Sequence, residues 1–518
     1  MIFPSPYPPI TIPEISLPDL ILQKADQYGD KPALIEGLTG RTYSFRELGS
    51  GVRHVAAGLA ENGFGKGDVL AFVCPNYPEY GIMFLAAAML GGINTTLNPA
   101  YTPDEIASQI EDAEARYLFT TPELIEHISP EALKEMHRIF VLGYAEGTVP
   151  FRDLLGSSAD LPAISINARE DVVALPYSSG TTGLSKGVML THHNLVANLL
   201  QIDAVGLFES SDTIVSVLPF FHIYGMVVVL SLGLYKGATN VTLPRFEMEG
   251  FLKTMEEHAV TYAHLVPPLV LALAKHPDVD PDRLSKLDEI LCGAAPLGGD
   301  TARAFADRLN CKVRQGYGMT EASPATHLAS RSSNAPMESV GPCVPNTECK
   351  LVDPADGREV GTGESGEIWV RGPQVMKGYL NQPEQTALMI DGEGWMRTGD
   401  IGYVDEGGNF HIVDRVKELI KYKGLQVAPA ELEALLVSHP AIADAAVIPS
   451  PDEEAGEVPK AYLVKLSDID ASEIMSWVAE RVASHKKIRR VEFIDQIPKS
   501  PSGKILRRLL VDKDRKGD

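Results

Sequence analysis

Apolar runs of strand length recur along this chain with helix-length segments between them, and no other feature narrows its possible folds so much. Asp68–Cys74 (DVLAFVC) reads as a buried strand, and Pro78–Leu90 as an apolar helix that stops at Gly91-Gly92. Ala115–Thr120 and Arg138–Leu142 read as further short strands. Such alternation predicts an α/β architecture with largely parallel sheets. At 518 residues the chain is too long for a single hydrophobic core, so at least two domains are expected. Glycines become more frequent after Gly341, where Glu367–Gly372 and Phe410–Val413 read as short strands of a β-rich subdomain. Beyond Asp414 the alternation starts afresh, with helices at Pro429–Ser438 and Glu473–Ser484 and strands at Ile442–Ile448 and Arg490–Ile494. The expected domains are therefore 1–413 and a small C-terminal unit, 414–518. Residues 1–18 carry so many prolines that an extended arm is expected there.

Charge restricts the partners. Lys and Arg number 46 against 69 Asp and Glu, a net charge of −23, which disfavours non-specific binding to nucleic acid or anionic lipid. A polyanion would need a local concentration of basic groups. The five cysteines form no CxxC, so neither a zinc site nor a disulfide framework is expected, and free thiols in a reducing cytoplasm are. The N-terminus lacks a secretory pattern, the C-terminus lacks a peroxisomal tripeptide, and the apolar run Ile223–Tyr235 is too short to span a bilayer. A cytoplasmic protein without a membrane span is the expectation.

The sharpest local signal follows the strand-like run Asp171–Leu175. It reads Pro176-Tyr177-Ser178-Ser179-Gly180-Thr181-Thr182-Gly183-Leu184-Ser185-Lys186-Gly187. The glycines let backbone N–H groups close on an anion, the hydroxyls add donors, and Lys186 adds a mobile positive charge. The spacing is not that of a Walker A loop, because Lys186 is followed by Gly187 and not by Ser or Thr. A triphosphate cradle of another kind is expected.

From this loop onward the motifs resemble the adenylate-forming superfamily of acyl-CoA synthetases, luciferases and peptide-synthetase adenylation domains. They are most similar to 4-coumarate–CoA ligase-like enzymes. The segment Leu218-Pro219-Phe220-Phe221-His222-Ile223-Tyr224-Gly225 resembles the family's carboxylate gate. Gly293–Leu297 and Gln315–Glu321 resemble its adenine and acyl-pocket segments, and Thr398-Gly399-Asp400 its ribose turn. Asp414–Glu431 resembles the ligase hinge, and Pro498–Lys504 the C-terminal catalytic loop. The resemblance implies a large N-terminal domain of two α/β sheets plus a distorted β-barrel. It also implies a small mobile α/β C-terminal domain that rotates about Asp414.

The implied reaction joins a small carboxylic acid to ATP as acyl-AMP, releases pyrophosphate, and passes the acyl group to coenzyme A, with Mg2+ assisting. On that reading Lys504 stabilises the charge that develops at the phosphorus, and His222 steers the carboxylate. Lys421 and Gln426 stand around the adenylate, joined by Lys417. Ser178, Ser179, Gly180, Thr181, Thr182 and Lys186 hold phosphates, with Thr320. Gln315, Gly316 and Tyr317 face the nucleotide. Asp400 suits the ribose hydroxyls, since a carboxylate accepts two hydrogen bonds, and Arg415 adds a donor. Glu321 suits Mg2+, a hard cation that takes oxygen ligands. Arg245, Lys423 and Gly424 are implied for coenzyme A. His192 and His193 have no partner at metal-ligand spacing and read as structural. The Pro498-x4-Gly503-Lys504 pattern also makes Lys504 a candidate for a protein acetyltransferase.

Tyr224, Gly293, Ala294, Gly316, Gly318, Pro324 and Ala325 match the acyl pocket. Small residues leave a flat slot suited to an aromatic ring conjugated to its carboxylate. The sequence departs from the plant ligases at Ala325, where many carry a larger aliphatic residue, and at Val228, often polar. Hydroxycinnamate-like acids are favoured. Medium-chain fatty acids, a luciferase-like reaction and adenylation alone remain as alternatives.

Overall fold

The structure is a computed structural model and describes residues 1–178, 185–423, 425–452, 454–500 and 503–516. Ser179, Gly180, Thr181, Thr182 and Gly424 lie outside the described residues.

Two eight-stranded sheets carry the bulk of the chain. In the first, Val172–Ser178, Ile93–Leu97, Val69–Val73, Tyr117–Thr120, Arg138–Val141 and Val149–Pro150 run parallel in that order. Lys186–Thr191 and Gly378–Tyr379 extend it antiparallel. In the second, the parallel strands are Lys312–Gly318, Glu289–Cys292, Tyr262–Leu265, Thr213–Ser216, Thr239–Thr242 and Pro32–Glu36. Ala325–Leu328 and Thr42–Ser44 close its edges antiparallel. Strands flanked by helices on both faces are buried on both and mostly apolar, which is why short continuous runs rather than alternating ones marked several of them in the sequence. One apolar core joins the helices of both sheets. The apolar run at 223–235 is wholly buried within it, as a wide helix Tyr224–Ser231 continued by Leu232–Lys236.

A third sheet is antiparallel, in the order Ile2–Pro4, Glu348–Val352, Gly366–Arg371, Met396–Val404, Phe410–Arg415, with Glu359–Val360 beside Glu348–Val352. It is open. The distorted barrel implied by the resemblance does not close here, and its edge strand ends in Pro4, which has no N–H to offer a further neighbour. The prolines of the N-terminal arm keep it extended as expected, but a helix starts at Leu17, capped by Ser16 Oγ accepting from Asp19 N–H at 3.2 Å. Pro18 in the first turn fits, because that N–H has no helical partner.

The last strands form a separate five-stranded sheet of Leu425–Val427, Ile420–Tyr422, Gly456–Lys465, Ile442–Asp452 and Arg490–Phe493, with its own core. Ile442–Asp452 outruns its expected length because it pairs with Gly456–Lys465 as one long hairpin. The helix expected to Ser484 ends at Ala479, where its buried stripe of Ile474 and Val478 is complete.

Asp414 ties this unit to the rest. Its carboxylate accepts from Arg415 N–H at 2.7 Å and from Ala430 N–H at 2.8 Å, so it caps the helix Pro429–Ser438 from outside. Arg507 donates to Glu418 at 2.5 Å and to Glu433 at 2.6 Å. Burial pushes the Glu433 carboxyl up to about 7, against the pull of Arg507. Arg507→Ala leaves two acidic groups without their cation, and we expect it to cost about 3–5 kcal/mol, measured by urea unfolding. Glu433→Gln in that background should recover part of the loss.

Candidate active site

In parallel sheets, ligands collect beyond the carboxyl ends of the strands. Here those ends open on a cavity of about 420 Å³. Asn98, Val217, Leu243 and Val266 line it, each just past a strand, and Lys499, Ser500 and Gly503 of the C-terminal loop complete it.

The phosphate-loop residues that are described sit at the mouth of a hairpin. Ser178 and Lys186 face each other in register between antiparallel strands. Ser178 Oγ donates to Glu321 Oε1 at 2.8 Å, and Tyr379 O–H donates to the same oxygen at 2.9 Å. Lys186 Nζ lies 5.0 Å from the centre of the Tyr379 ring and donates to Gln385 Oε1 at 3.0 Å. Tyr379 was not anticipated. Its place comes from Gly378-Tyr379 pairing with the far side of the hairpin strand, a long-range contact with no local signature.

Asp400 and Arg415 oppose each other on neighbouring strands, with Arg415 Nε 3.4 Å from Asp400 Oδ1. Gly399 has φ +71°, which lets the turn bring Asp400 round. Tyr317 O–H donates to Asp400 Oδ2 at 2.6 Å. Burial raises the Asp400 carboxyl, while Arg415, Tyr317 and Lys504 pull it back. Lys504 arrives from the other domain on a tight loop, in which Ser500 N–H donates to Lys504 C=O at 2.8 Å. A Cβ on Gly503 would come within 3.2 Å of Val266 and Pro268, so glycine lets the loop lie against the large domain. Burial and then Arg415 lower the Lys504 ammonium, while Asp400, Glu321 and Glu418 hold it up. The structure thus brings Lys504, Asp400, Arg415 and Glu321 into one electrostatic cluster.

Burial drives the His222 imidazole down to about 3, with the Lys504 charge adding to the effect. His222 is neutral at physiological pH. Its Nδ1 accepts from Tyr224 N–H at 3.3 Å, which leaves the proton on Nε2. Tyr224 O–H donates to Leu291 C=O at 3.1 Å and meets His264 Nδ1 at 3.3 Å. A Cβ on Gly293 would stand 3.0 Å from the Tyr224 ring. Gly318 backs onto Pro324 so closely that a Cβ would fall 2.2 Å from its carbonyl oxygen. Asn198 clamps Ala325 through both its N–H and its C=O, at 3.0 and 2.7 Å. Gly316 faces Leu328 and Leu291, and Ala294 takes φ +70° at the end of its strand.

Other expected residues stand differently. Gln315 was expected at the nucleotide, yet both its N–H groups go to Leu297 and Met337 carbonyls and its oxygen accepts from Leu297 N–H. It is a strut for the Gly293–Leu297 segment. Thr320 opens a short helical turn with Glu321. Lys421 and Gln426 oppose each other on an exposed hairpin, and Lys423 there pairs with Glu454. Lys417 is exposed on the turn after Arg415. Arg245 stands exposed on the cavity rim, 4.0 Å from Glu247. The charges acting most strongly on Lys504 do not include the hairpin lysines. His192 is structural, its Nδ1 accepting from Leu17 N–H at 3.1 Å. The lining residues Asn98, Leu243, Phe246 and Leu269 were missed, and the rule that sites lie past the carboxyl ends of parallel strands would have found them.

Hydroxyl, carboxylate and ammonium groups from the two α/β sheets and the third sheet, completed by a lysine from a small second domain, are the groups an adenylate-forming enzyme needs. Residues 21–380 match the AMP-binding enzyme family and residues 431–504 match the AMP-binding enzyme C-terminal domain, so the chain belongs to that family. It is 45% identical to 4-coumarate–CoA ligase from Pinus taeda, over 96% of each chain. It is 44% identical to 4-coumarate–CoA ligase 3 from Oryza sativa subsp. japonica, over 98% of this chain and 94% of that one. Among solved structures, the anthranilate CoA ligase AuaEII in complex with anthranoyl-AMP superposes with a TM-score of 0.90 at 26% identity, over 98% of each chain. The chain is an enzyme of the acid–thiol ligase class.

Tyr317→Phe removes a hydrogen bond to a charged group, worth about 1.5–3 kcal/mol. The KM for ATP should rise roughly ten-fold or more, with kcat for adenylation changing less.

Proposed function

We propose that this enzyme activates an aromatic acid of the hydroxycinnamate type as its adenylate and transfers it to coenzyme A. The observation that carries this is the convergence of the Asp400, Arg415 and Glu321 charges on the half-buried Lys504, whose charge also acts on the neutral His222. A carboxylate oxygen attacks the α-phosphorus of ATP and pyrophosphate leaves. Lys504 meets the charge developing on the phosphoryl oxygens, as a fixed donor in a site of low polarity. His222 Nε2–H orients the acid. Asp400 accepts from the ribose hydroxyls, and Lys186 and Ser178 face the phosphates. Glu321 fits Mg2+, because its Oε1 is held by two hydroxyls and a hard cation takes carboxylate oxygen. When bound, the ion would offset phosphate charge.

The aromatic substrate is supported by small residues at Gly293, Gly316, Gly318 and Ala325 beside the Tyr224 ring, and by the names of the ligases it resembles. Coenzyme A enters past Arg245 along the apolar cavity. Lys423 and Gly424 serve it, and Lys417, Lys421 and Gln426 the adenylate, once the small domain, 414–518, has turned about Asp414 to present the hairpin face. Five free cysteines support a cytoplasmic home, and among the described residues no helix is long and apolar enough to cross a membrane. Acetylation of Lys504 would abolish its charge.

Lys504→Ala should lower adenylation by roughly 10²–10³-fold while thioester formation from preformed adenylate survives. Equal loss of both steps would reject the role. In the wild type, adenylation should fall as pH rises through the Lys504 value, which lies below the usual 10.5, and His222 should add no inflection near 6.5 because it is already neutral there. A panel of cinnamates, benzoates and fatty acids assayed for coenzyme-A-dependent AMP formation tests the substrate class.

Asp414→Pro fixes φ at the turning point and also removes the carboxylate that caps Pro429–Ser438. In soluble protein whose melting is checked alongside, one half-reaction should be lost far more than the other. Near wild-type rates in both would place the hinge elsewhere.

A further inference from the structure

Behind the nucleotide site, the open third sheet encloses a cluster that the proposed reaction does not use. His327, Cys343 and Cys349 are buried, and their donor atoms all lie within 4.8 Å of one another. His327 Nε2 is 3.2 Å from Cys349 Sγ and 3.5 Å from Cys343 Sγ. We propose that these three side chains form a binding site for a thiophilic d10 metal ion, zinc(II) in the first instance.

The proton inventory of the imidazole supports this. Thr326 O–H donates to Tyr317 C=O at 3.3 Å, so its oxygen is left to accept from His327 Nδ1–H at 3.0 Å. That assignment puts the lone pair of the ring on Nε2, aimed at the two sulfurs. A ligating histidine characteristically donates its other N–H to an oxygen, which fixes both ring orientation and tautomer. The spacing agrees. With zinc bonds of about 2.0 Å to nitrogen and about 2.3 Å to sulfur, a tetrahedral centre separates N from S by about 3.5 Å.

The donor set chooses the ion. Two sulfurs and one imidazole without a carboxylate suit zinc(II) or copper(I), not magnesium or calcium. Phe3, Phe410, Leu351 and Ile368 surround the cluster with apolar groups, and the His327 ring lies 4.2 Å from that of Phe410. A net charge would be costly there. Zinc(II) entering displaces one proton from each thiol, giving two thiolates, one neutral imidazole and a site of zero net charge. Copper(I) with two thiolates would leave one negative charge. The Cys343 thiol now meets the Phe3 carbonyl at 3.8 Å, and its ionisation leaves that oxygen as a candidate fourth donor.

The ligands come from separate segments. His327 pairs in register with Tyr317, which holds Asp400, and Cys349 pairs with Phe3 of the N-terminal strand. Cys343 bridges to His327. A bound ion would therefore staple the N-terminal strand and the third sheet to the back of the ribose site. Its role is structural, because no ligand touches a reacting group.

The test uses the untagged full chain, expressed in medium supplemented with zinc, cobalt(II) or copper and freed of loose metal by gel filtration. Metal content is read by inductively coupled plasma mass spectrometry. We expect about one equivalent of zinc per chain, and for the cobalt form a sulfur-to-cobalt charge-transfer band in the near ultraviolet. Cys343→Val and Cys349→Val, which keep the site apolar, should each lose the metal and the band while ATP–pyrophosphate exchange persists. His327→Asn guards against either variant failing to fold. Stoichiometric copper with no zinc would replace the ion but uphold the site. The proposal fails if wild-type protein takes up none of the three metals, if the valine variants retain them, or if intact mass shows two hydrogens lost to a Cys343–Cys349 disulfide.

Discussion

A lysine ammonium cannot be withdrawn from water without nearby negative charge, and the site is organised around this limit. Lys504 is carried on a loop of the small domain and enclosed against the large one. Its position holds only because Asp400, Glu321 and Glu418 converge there, opposed by Arg415. An unpaired buried charge costs several kcal/mol. The carboxylates thus specify where the C-terminal loop can dock, and the loop completes a cavity that the large domain leaves open on one side. Gly503 is part of the same constraint, since any side chain there would meet Val266 and Pro268.

The carboxylates in turn need their own support. Asp400 is held by the Tyr317 hydroxyl and faced by Arg415 across a strand pair. Glu321 is held by Ser178 and Tyr379, one from each side of the phosphate hairpin. Both carboxylates are thus fixed by phenols reaching in from strands, which keeps them oriented before any ligand arrives. A protein with an acidic surface can in this way concentrate a few cations where a polyanion must sit.

Local patterns were legible where the physics is local. The apolar runs gave strands within a residue or two at Val69–Val73 and Arg138–Val141, because a strand covered on both faces favours apolar side chains on each. The helix Pro429–Ser438 matched at both ends. The motif residues around Lys504, Asp400 and Arg415 were also identified from the sequence. Tyr379 was not, because it enters the site by the pairing of a distant segment. Gln315 shows what a motif leaves open. It lies in a nucleotide motif but spends its amide on two backbones, and only the fold reveals which groups claimed it.

The order of residues alone determined the α/β class, and its motifs resembled the family to which the chain belongs. Tertiary structure decided that the third sheet stays open, that His222 is a neutral donor, and which face of the small domain meets the large one. It also decided that His327, Cys343 and Cys349, from three separate segments, meet around one point. The reason is common to all of these. Burial and charge proximity are properties of three-dimensional neighbours, and a histidine or a lysine in a sequence carries no record of what will surround it.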